Sequence, residues 1–538
     1  MRKHVPLAVA TIATIAVAVG AQQPANAPPP AARVVGTSAR EAIDAAAAAL
    51  GGADKLRQLR NLTLIGYAQY AYQNGGGNIS PLPGAPQKFI AANDYRRVYD
   101  LEHGRMLHQE RRNDLFPFAN YAGHDFALQR QVLDGPVAYN INQKGEAGRG
   151  GDARDRRMWM HANPVIAVRA ALDPANALSN RREEGGLTLV DLKLKEGDVL
   201  TLGIRPQSNL PDFVRWVAPQ VNLGEVISTT RFYGYVPFGG VQLPMGYTTR
   251  YDWRPEVEQV KIYVDNYLVD GQIDDLAAPA SVSNPGAAQP AGGRGGGGGF
   301  GGGPLEVTPM ARGVWRITGG TMVIEFADHM TLFEVDGQPA RIKQVIEAAR
   351  KIVPAKPVTE VIVSHHHFDH SSGLREAVAE GLTVISRRDN GVIFREMTSR
   401  PAPTFPDDLS RSGKTMKFVP VDDHLQLKDA TMTVDLYHVI ANSHMAEALF
   451  AYIPEHKMMI EGDIATAAEE LQWWGDSWLD NIAYRKIDVQ RNVPVHMTPM
   501  TRDEVIKMVN GGIVRVKQFC ADHVAKGDYF PGCPVQVR

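Results

Sequence analysis

The stretch that decides the fold of the C-terminal half is Ser364-His365-His366-His367-Phe368-Asp369-His370-Ser371-Ser372-Gly373. It follows an apolar, β-branched run over 358–363 that predicts a strand, and it precedes a helical pattern that begins at Leu374. Side chains of an extended segment alternate between two faces, so His365 and His367 should share one face while His366 points to the other. Two imidazoles that converge in this way predict a metal site.

Asp369 and His370 add two further ligand types at the turn into the helix. They can hold a second cation a few ångströms from the first, an arrangement in which two metals clamp one reacting group. At ordinary frequencies of His and Asp, the pattern H-x-H-x-D-H arises by chance in roughly one chain of this length in a thousand. A surface histidine cluster is therefore a poor explanation.

The H-x-H-x-D-H motif resembles that of the metallo-β-lactamase-fold hydrolase superfamily. The resemblance covers 305–538 and implies an α/β fold, the αββα sandwich of that superfamily. Three later positions match the remaining ligands of the family in chain order: His444 after the strand-like run 432–439, Asp463 in Glu461-Gly462-Asp463 at the end of a predicted hairpin, and His496 after Val493-Pro494-Val495. The chain departs from the family pattern at Met445-Ala446-Glu447, where members often carry a small residue and a glycine.

The resemblance also implies a role for each ligand. His365, His367 and His444 hold the first metal, while Asp369, His370 and His496 hold the second, and Asp463 bridges the two together with a hydroxide. Asp369 is in addition the candidate catalytic residue, which orients the nucleophile and relays its proton. Two divalent ions are expected; the nitrogen-rich donors suit Zn²⁺ best, although they can also hold iron or manganese.

The chain divides at a glycine-rich linker over 281–304, which has almost no side chains to bury. Residues 38–280 are predicted to form a mainly antiparallel β domain. A capping box of Ser38 and Glu41 opens an alanine-rich helix there, and one further helix is expected around 158–172. This domain faintly resembles periplasmic lipoprotein-carrier domains with an apolar concave face, and a purely structural β domain is the alternative.

Residues 1–21 are predicted to be a signal peptide, because Arg2 and Lys3 precede an apolar run that ends in small residues, with a second cleavage position at 27. The run is shorter than the roughly 20 residues that span a bilayer, so we expect a periplasmic or secreted protein with no stable membrane anchor after cleavage. Cys520 and Cys533 are the two cysteines of the chain, and they are either disulfide partners or free thiols.

With 538 residues and a net charge of -2, the chain is long enough for two or three domains and has no charge excess that would favour nucleic acid as a partner. A small-molecule substrate is expected, and the sequence does not indicate an oligomeric state. The metal-bridging hydroxide would attack an ester, lactone or thioester, because family members with β-lactamase activity commonly replace the bridging aspartate. Two alternatives stay open: a mononuclear-iron persulfide dioxygenase of the same fold, and a non-catalytic periplasmic carrier of apolar ligands.

Overall fold

The computed structural model describes residues 38–71, 79–85, 89–114, 128–283, 305–335, 337, 339–442, 444–465 and 475–527. The predicted signal peptide and nearly all of the predicted linker lie outside these residues. The described residues form three β-sheets of 13, 7 and 6 strands. None of the described helices is both long enough and apolar enough to cross a bilayer.

The N-terminal domain is built on the 13-stranded sheet, in which every neighbouring pair whose register is described runs antiparallel. Its strands are β1 Asn61–Ala71, β2 Phe89–Asp100, β3 Arg105–Asp114, β4 Leu128–Asp134, β5 Val137–Ile141, β6 Ala147–Arg149, β7 Ala177–Glu184, β8 Leu187–Lys193, β9 Val199–Ile204, β10 Pro211–Gln220, β11 Gly224–Phe238, β12 Val241–Tyr251 and β13 Glu258–Val269. Its helices are α1 Ala39–Leu50, α2 Ala53–Gln58, α3 Ala153–His161, α4 Pro164–Leu172 and α5 Ala280–Ser283. The predicted antiparallel β domain is confirmed.

Helix α1 begins where the capping box predicts. Ser38 Oγ accepts a hydrogen bond from the Glu41 amide at 3.1 Å, and the Glu41 carboxylate accepts one from the Ser38 amide at 2.8 Å. The buried face of α1 carries Ile43 and Leu50, which join the main core of this domain. A cavity of about 730 Å³ is lined by residues of α3 and α4 and by the loops that follow β2 and β4.

The prediction of one helix over 158–172 is wrong, because two helices occupy this segment. Helix α3 ends at His161 and α4 starts at Pro164, whose ring removes an amide donor and favours the first turn of a new helix. Asn163 caps this second helix, since its Oδ1 accepts hydrogen bonds from the amides of Val165 and Ile166 at 3.0 and 3.4 Å.

The C-terminal domain contains the other two sheets and the remaining helices. Its strands are β14 Val307–Ala311, β15 Val314–Ile317, β16 Met322–Glu325, β17 Met330–Phe333, β18 Val358–Ile362, β19 Thr383–Arg387, β20 Lys417–Val421, β21 His424–Lys428, β22 Thr433–His438, β23 Leu449–Ile453, β24 Met458–Glu461, β25 Arg491–Pro494 and β26 Met500–Thr501. Its helices are α6 Pro339–Ile352, α7 Phe368–Ser371, α8 Leu374–Glu380, α9 Asn390–Ser399, α10 Asp408–Ser412, α11 Ser477–Arg485 and α12 Arg502–Ala525, with a 3₁₀ turn at Pro454–His456.

Three apolar clusters show that this domain has four layers. Phe333, Ile362 and Ile385 of the seven-stranded sheet pack against Leu436 and Ile460 of the six-stranded sheet. On the outer face of the first sheet lie α6, α8 and α9, and on the outer face of the second lie α11 and α12. The predicted αββα sandwich is therefore confirmed.

Candidate metal centre

The predicted ligands meet where the strands of both sheets end. Strand β18 stops at Ile362, the chain continues through the histidines, and the one-turn helix α7 carries Asp369 and His370. His444 follows β22, while Asp463 and His496 stand two residues beyond the ends of β24 and β25. The structure brings all seven predicted ligands to this one place.

The first group of donor atoms comes from His365, His367, His444 and Asp463, and these atoms lie within 4.8 Å of one another. The rings of His365 and His367 are 4.4 Å apart between centroids, and the rings of His367 and His444 are 4.6 Å apart. All three histidines are almost completely buried. The geometry fits three nitrogen donors and one oxygen donor around a single cation.

The second group consists of Asp369, His370, Asp463 and His496. His370 Nε2 lies 2.8 Å from His496 Nε2 and 3.6 Å from Asp369 Oδ2. His496 is the most open of the histidines in the two groups, with 22% of its side chain exposed. Asp369 is more open still, at 40%, so the second group is open to solvent on this side.

Asp463 belongs to both groups. Its Oδ2 lies 2.9 Å from His444 Nε2 in the first group and 3.2 Å from His370 Nε2 in the second. Its Oδ1 lies 3.3 Å from His496 Nε2. A carboxylate between two cation sites offsets their mutual repulsion, which is the position predicted for Asp463.

A comparison with protein families agrees with this arrangement. Residues 331–481 match the family model of the metallo-beta-lactamase superfamily. The C-terminal domain has the metallo-β-lactamase fold. The matched range includes every predicted ligand except His496, which lies beyond its end.

Solved structures similar to this chain include metallo-beta-lactamases from several bacteria. The enzyme from Pontibacter korlensis is 13% identical with a TM-score of 0.31, and the match covers 38% of this chain and 98% of that one. FIM-1 from Pseudomonas aeruginosa, in its mono-zinc form, is 15% identical with a TM-score of 0.30, over 39% and 96%. The enzyme from Hirschia baltica is 15% identical with a TM-score of 0.29, over 39% and 98%. No curated protein matches the chain.

The donor atoms of the metallo-β-lactamase-fold domain fit divalent metal ions. His365 Nε2 is buried and has no hydrogen-bond partner among the residues that the structure describes. A buried polar atom of this kind normally finds a partner, and a metal ion supplies one. Ser364 Oγ lies 2.7 Å from His365 Nδ1, so the other ring nitrogen is engaged and Nε2 is directed into the first group.

The surroundings of the site shift the pKa values of its side chains in opposite directions. Burial, followed by the neighbouring His370, holds the pKa of His365 well below its usual value, so this imidazole stays neutral and able to bind a metal. Burial also lowers the pKa of His370, but Glu334 and then Asp463 outweigh it and hold that pKa well above its usual value. Burial would raise the pKa of Asp463, yet His370 and His496 hold it well below the usual range.

Glu334 is a member of the site that the sequence analysis missed. Its Oε2 lies 2.9 Å from His370 Nδ1, and its Oε1 accepts a hydrogen bond from the Ser364 amide at 3.3 Å. Strand β17 runs parallel to β18, with Phe333 beside Ile362, so Glu334 comes directly alongside the histidine segment. A single acidic residue after an apolar strand does not by itself indicate a functional site in the sequence. Only the parallel pairing of β17 with β18 brings Glu334 to the histidine segment.

Two other side chains fix the loops that carry the later ligands. Asn442 Oδ1 accepts hydrogen bonds from the amides of His444 and Met445 at 2.8 and 3.2 Å. Glu461 is fully buried and accepts from the Ile464 amide at 2.8 Å, which closes the turn around Asp463. Burial raises the pKa of Glu461 to about 7.

The remaining predicted residues lie outside the two donor groups. His366 is fully buried and belongs to neither group. Cys520 is disulfide-bonded on α12, and Cys533 lies outside the described residues.

Proposed function

We propose that this protein is an exported binuclear metal-dependent hydrolase that acts on an ester, a lactone or a thioester. One observation carries the proposal: two groups of metal-binding side chains share the carboxylate of Asp463. A single structural metal would need only one such group. The export follows from the leader-like sequence of residues 1–21 and rests on that sequence alone.

In this proposal His365, His367 and His444 would hold one cation, Asp369, His370 and His496 would hold the other, and the carboxylate of Asp463 would serve both. When bound there, divalent ions would supply Lewis-acid chemistry, because they would lower the pKa of a bound water and polarise a substrate oxygen. Asp369 Oδ2 lies 3.5 Å from His496 Nε2 at the open side of the centre, where it can orient an attacking water and accept its proton. The buried side of the centre, around His365, excludes water from the reacting groups.

The substrate class rests on the bridging residue. A carboxylate at position 463, in place of a thiolate or a hydroxyl, is the feature that favours an ester, lactone or thioester over a β-lactam. The test is a hydrolysis screen of all four substrate types with metal-loaded protein. Preferential turnover of the β-lactam would overturn this part of the proposal.

The two-site arrangement is tested with His367→Ala and His496→Ala. Each variant should lose one metal preferentially and lose hydrolysis, because the two histidines belong to different groups. His424→Ala is the matched control, since the exposed side chain of His424 pairs with Asp435 and belongs to neither donor group. Full occupancy of both sites in the His496 variant would remove His496 from the centre. One iron per chain together with oxygen consumption would support a persulfide dioxygenase in place of a hydrolase.

A further inference from the structure

The N-terminal domain contacts the helix that carries two of the metal-binding residues. Asn222 lies in the turn between β10 and β11 and is almost completely buried. Its Nδ2 donates to the Phe368 carbonyl oxygen at 3.2 Å and to Ser371 Oγ at 3.2 Å. These two acceptors are the first and last residues of α7, so Asn222 spans the segment that contains Asp369 and His370.

The backbone at Asn222 is held by hydrogen bonds within its own turn. The Asn222 and Leu223 amides both donate to Gln220 Oε1, at 2.6 and 2.8 Å. Gly224 follows with a φ of 76°, and a Cβ there would meet the Arg375 guanidinium of α8 at 2.7 Å. The backbone of the turn therefore lies close against α8 of the C-terminal domain.

Ser371 extends the contact to the histidine segment. Its Oγ accepts from Asn222 and donates to the His367 carbonyl oxygen at 2.9 Å. The amides of His370 and Ser371 donate to the same carbonyl, each at 2.9 Å. A helix of four residues has too few internal hydrogen bonds to be stable alone. Hydrogen bonds from residues outside the helix therefore determine its geometry.

An aromatic contact supports the same helix beside Asn222. The rings of Trp253 and Phe368 lie 5.7 Å apart between centroids. Trp253 Nε1 donates to Glu396 Oε2 at 3.1 Å, which fixes the indole on the C-terminal domain. Phe368 thus faces the N-terminal domain, while the next residue, Asp369, faces the metal centre.

From these contacts we infer that Asn222 is a positioning residue for the second metal group, and that the N-terminal domain thereby completes the metal centre of the C-terminal domain. The inference rests on the proposed function only in that a metal binds there. Asn222 touches neither metal nor substrate and acts through Ser371 and the backbone of Phe368. The β domain therefore has a role in metal binding, whether or not it also binds a ligand of its own.

The test uses the full chain with the substitution Asn222→Ala. The second metal should bind about 10- to 100-fold more weakly, as is typical when a group that orients a ligand is lost, while the first site should change much less. Titration with Zn²⁺ against a chelating indicator measures both sites. The control is Asp252→Asn, which removes another contact between the domains, to Arg400 Nη2 at 2.7 Å, without touching α7.

A second measurement does not depend on metal or hydrolysis. In metal-free protein the amides of His370 and Ser371 should exchange with solvent at least tenfold faster in Asn222→Ala than in wild type, because the helix loses its outside support. In the double variant with Ser371→Ala, the two effects should not add, since both substitutions break one hydrogen-bonded chain. Wild-type exchange rates in Asn222→Ala, or equal metal loss in Asp252→Asn, would overturn the inference. A wild-type chain that binds no metal but shows this exchange difference would contradict the proposed function alone.

Discussion

His370 Nδ1 lies 2.9 Å from Glu334 Oε2, and both side chains are completely buried. The carboxylate engages Nδ1 and leaves Nε2 facing Asp463 Oδ2 at 3.2 Å and His496 Nε2 at 2.8 Å. Glu334 has a φ of 54°, a left-handed backbone conformation that is uncommon for residues other than glycine. Such strain persists only where the surroundings impose it, and it often marks functional sites.

Glu334→Gln should weaken the second metal because the amide keeps the size of the side chain but loses its charge. The expected loss of affinity is about 10- to 100-fold, measured by competition with a chelator. Glu360→Gln is a suitable control, since Glu360 accepts a hydrogen bond from Thr331 on the same sheet and belongs to neither donor group. Unchanged affinity in the Glu334 variant would show that His370 does not need this partner.

Asp463→Asn should weaken the second metal by about 10- to 100-fold and reduce hydrolysis at least as much, because a bridging charge is lost. Asparagine is otherwise a natural residue for a turn. Metal titration and the hydrolysis rate would both stay at wild-type values if Asp463 were only a turn residue.

Gly462→Ala tests how tightly the loop before Asp463 fits. A Cβ at Gly462 would meet Ser364 Oγ at 2.5 Å and His365 Nδ1 at 3.2 Å, so the first metal should bind more weakly. Gly512→Ala is the matched control on α12, where the nearest atom, in Arg515, is 3.9 Å away. That substitution should leave metal binding intact and stabilise the helix by up to about 1 kcal/mol. Equal metal affinity in the two variants would contradict the close fit.

Glu376→Gln should change how stability depends on pH. Burial, followed by the nearby Asp408, raises the pKa of Glu376 to about 7 from 4.5, and its Oε1 has no hydrogen-bond partner among the described residues. Between these two pKa values the folded state holds a proton that the unfolded state has already released. The stability of the wild-type protein therefore falls as the pH rises from the lower to the higher value. The variant should gain stability relative to wild type as the pH rises from 4.5 to 8. Denaturant unfolding at both pH values measures this, and a constant difference would refute it.

Most residues of the candidate metal centre could be predicted to lie together, because they stand in short motifs at the ends of strands. His365, His367 and Asp369 are close in the chain, and the structure places them together with His444 and Asp463. Glu334 could not be found in this way, since its role depends on β17 pairing in parallel with β18. Asn222 lies in the other domain, and only the contact between domains brings it to α7.

The fold could be predicted by class but not in every element. The family resemblance of the H-x-H-x-D-H motif predicted the αββα sandwich, and the capping box predicted the start of α1. The break between α3 and α4 was missed although Asn163 and Pro164 are a recognisable helix start. The 13-stranded width of the N-terminal sheet depends on pairing between β1 and β13, which local patterns do not encode.

The metal content of the full-length protein tests the central claim most directly. Protein purified under metal-replete conditions and analysed for elements should carry about two transition-metal ions per chain, because two donor groups share Asp463. The single-site variants His367→Ala and His496→Ala should each retain about one. A stoichiometry near zero in the wild-type protein, after refolding with excess Zn²⁺, would contradict the account.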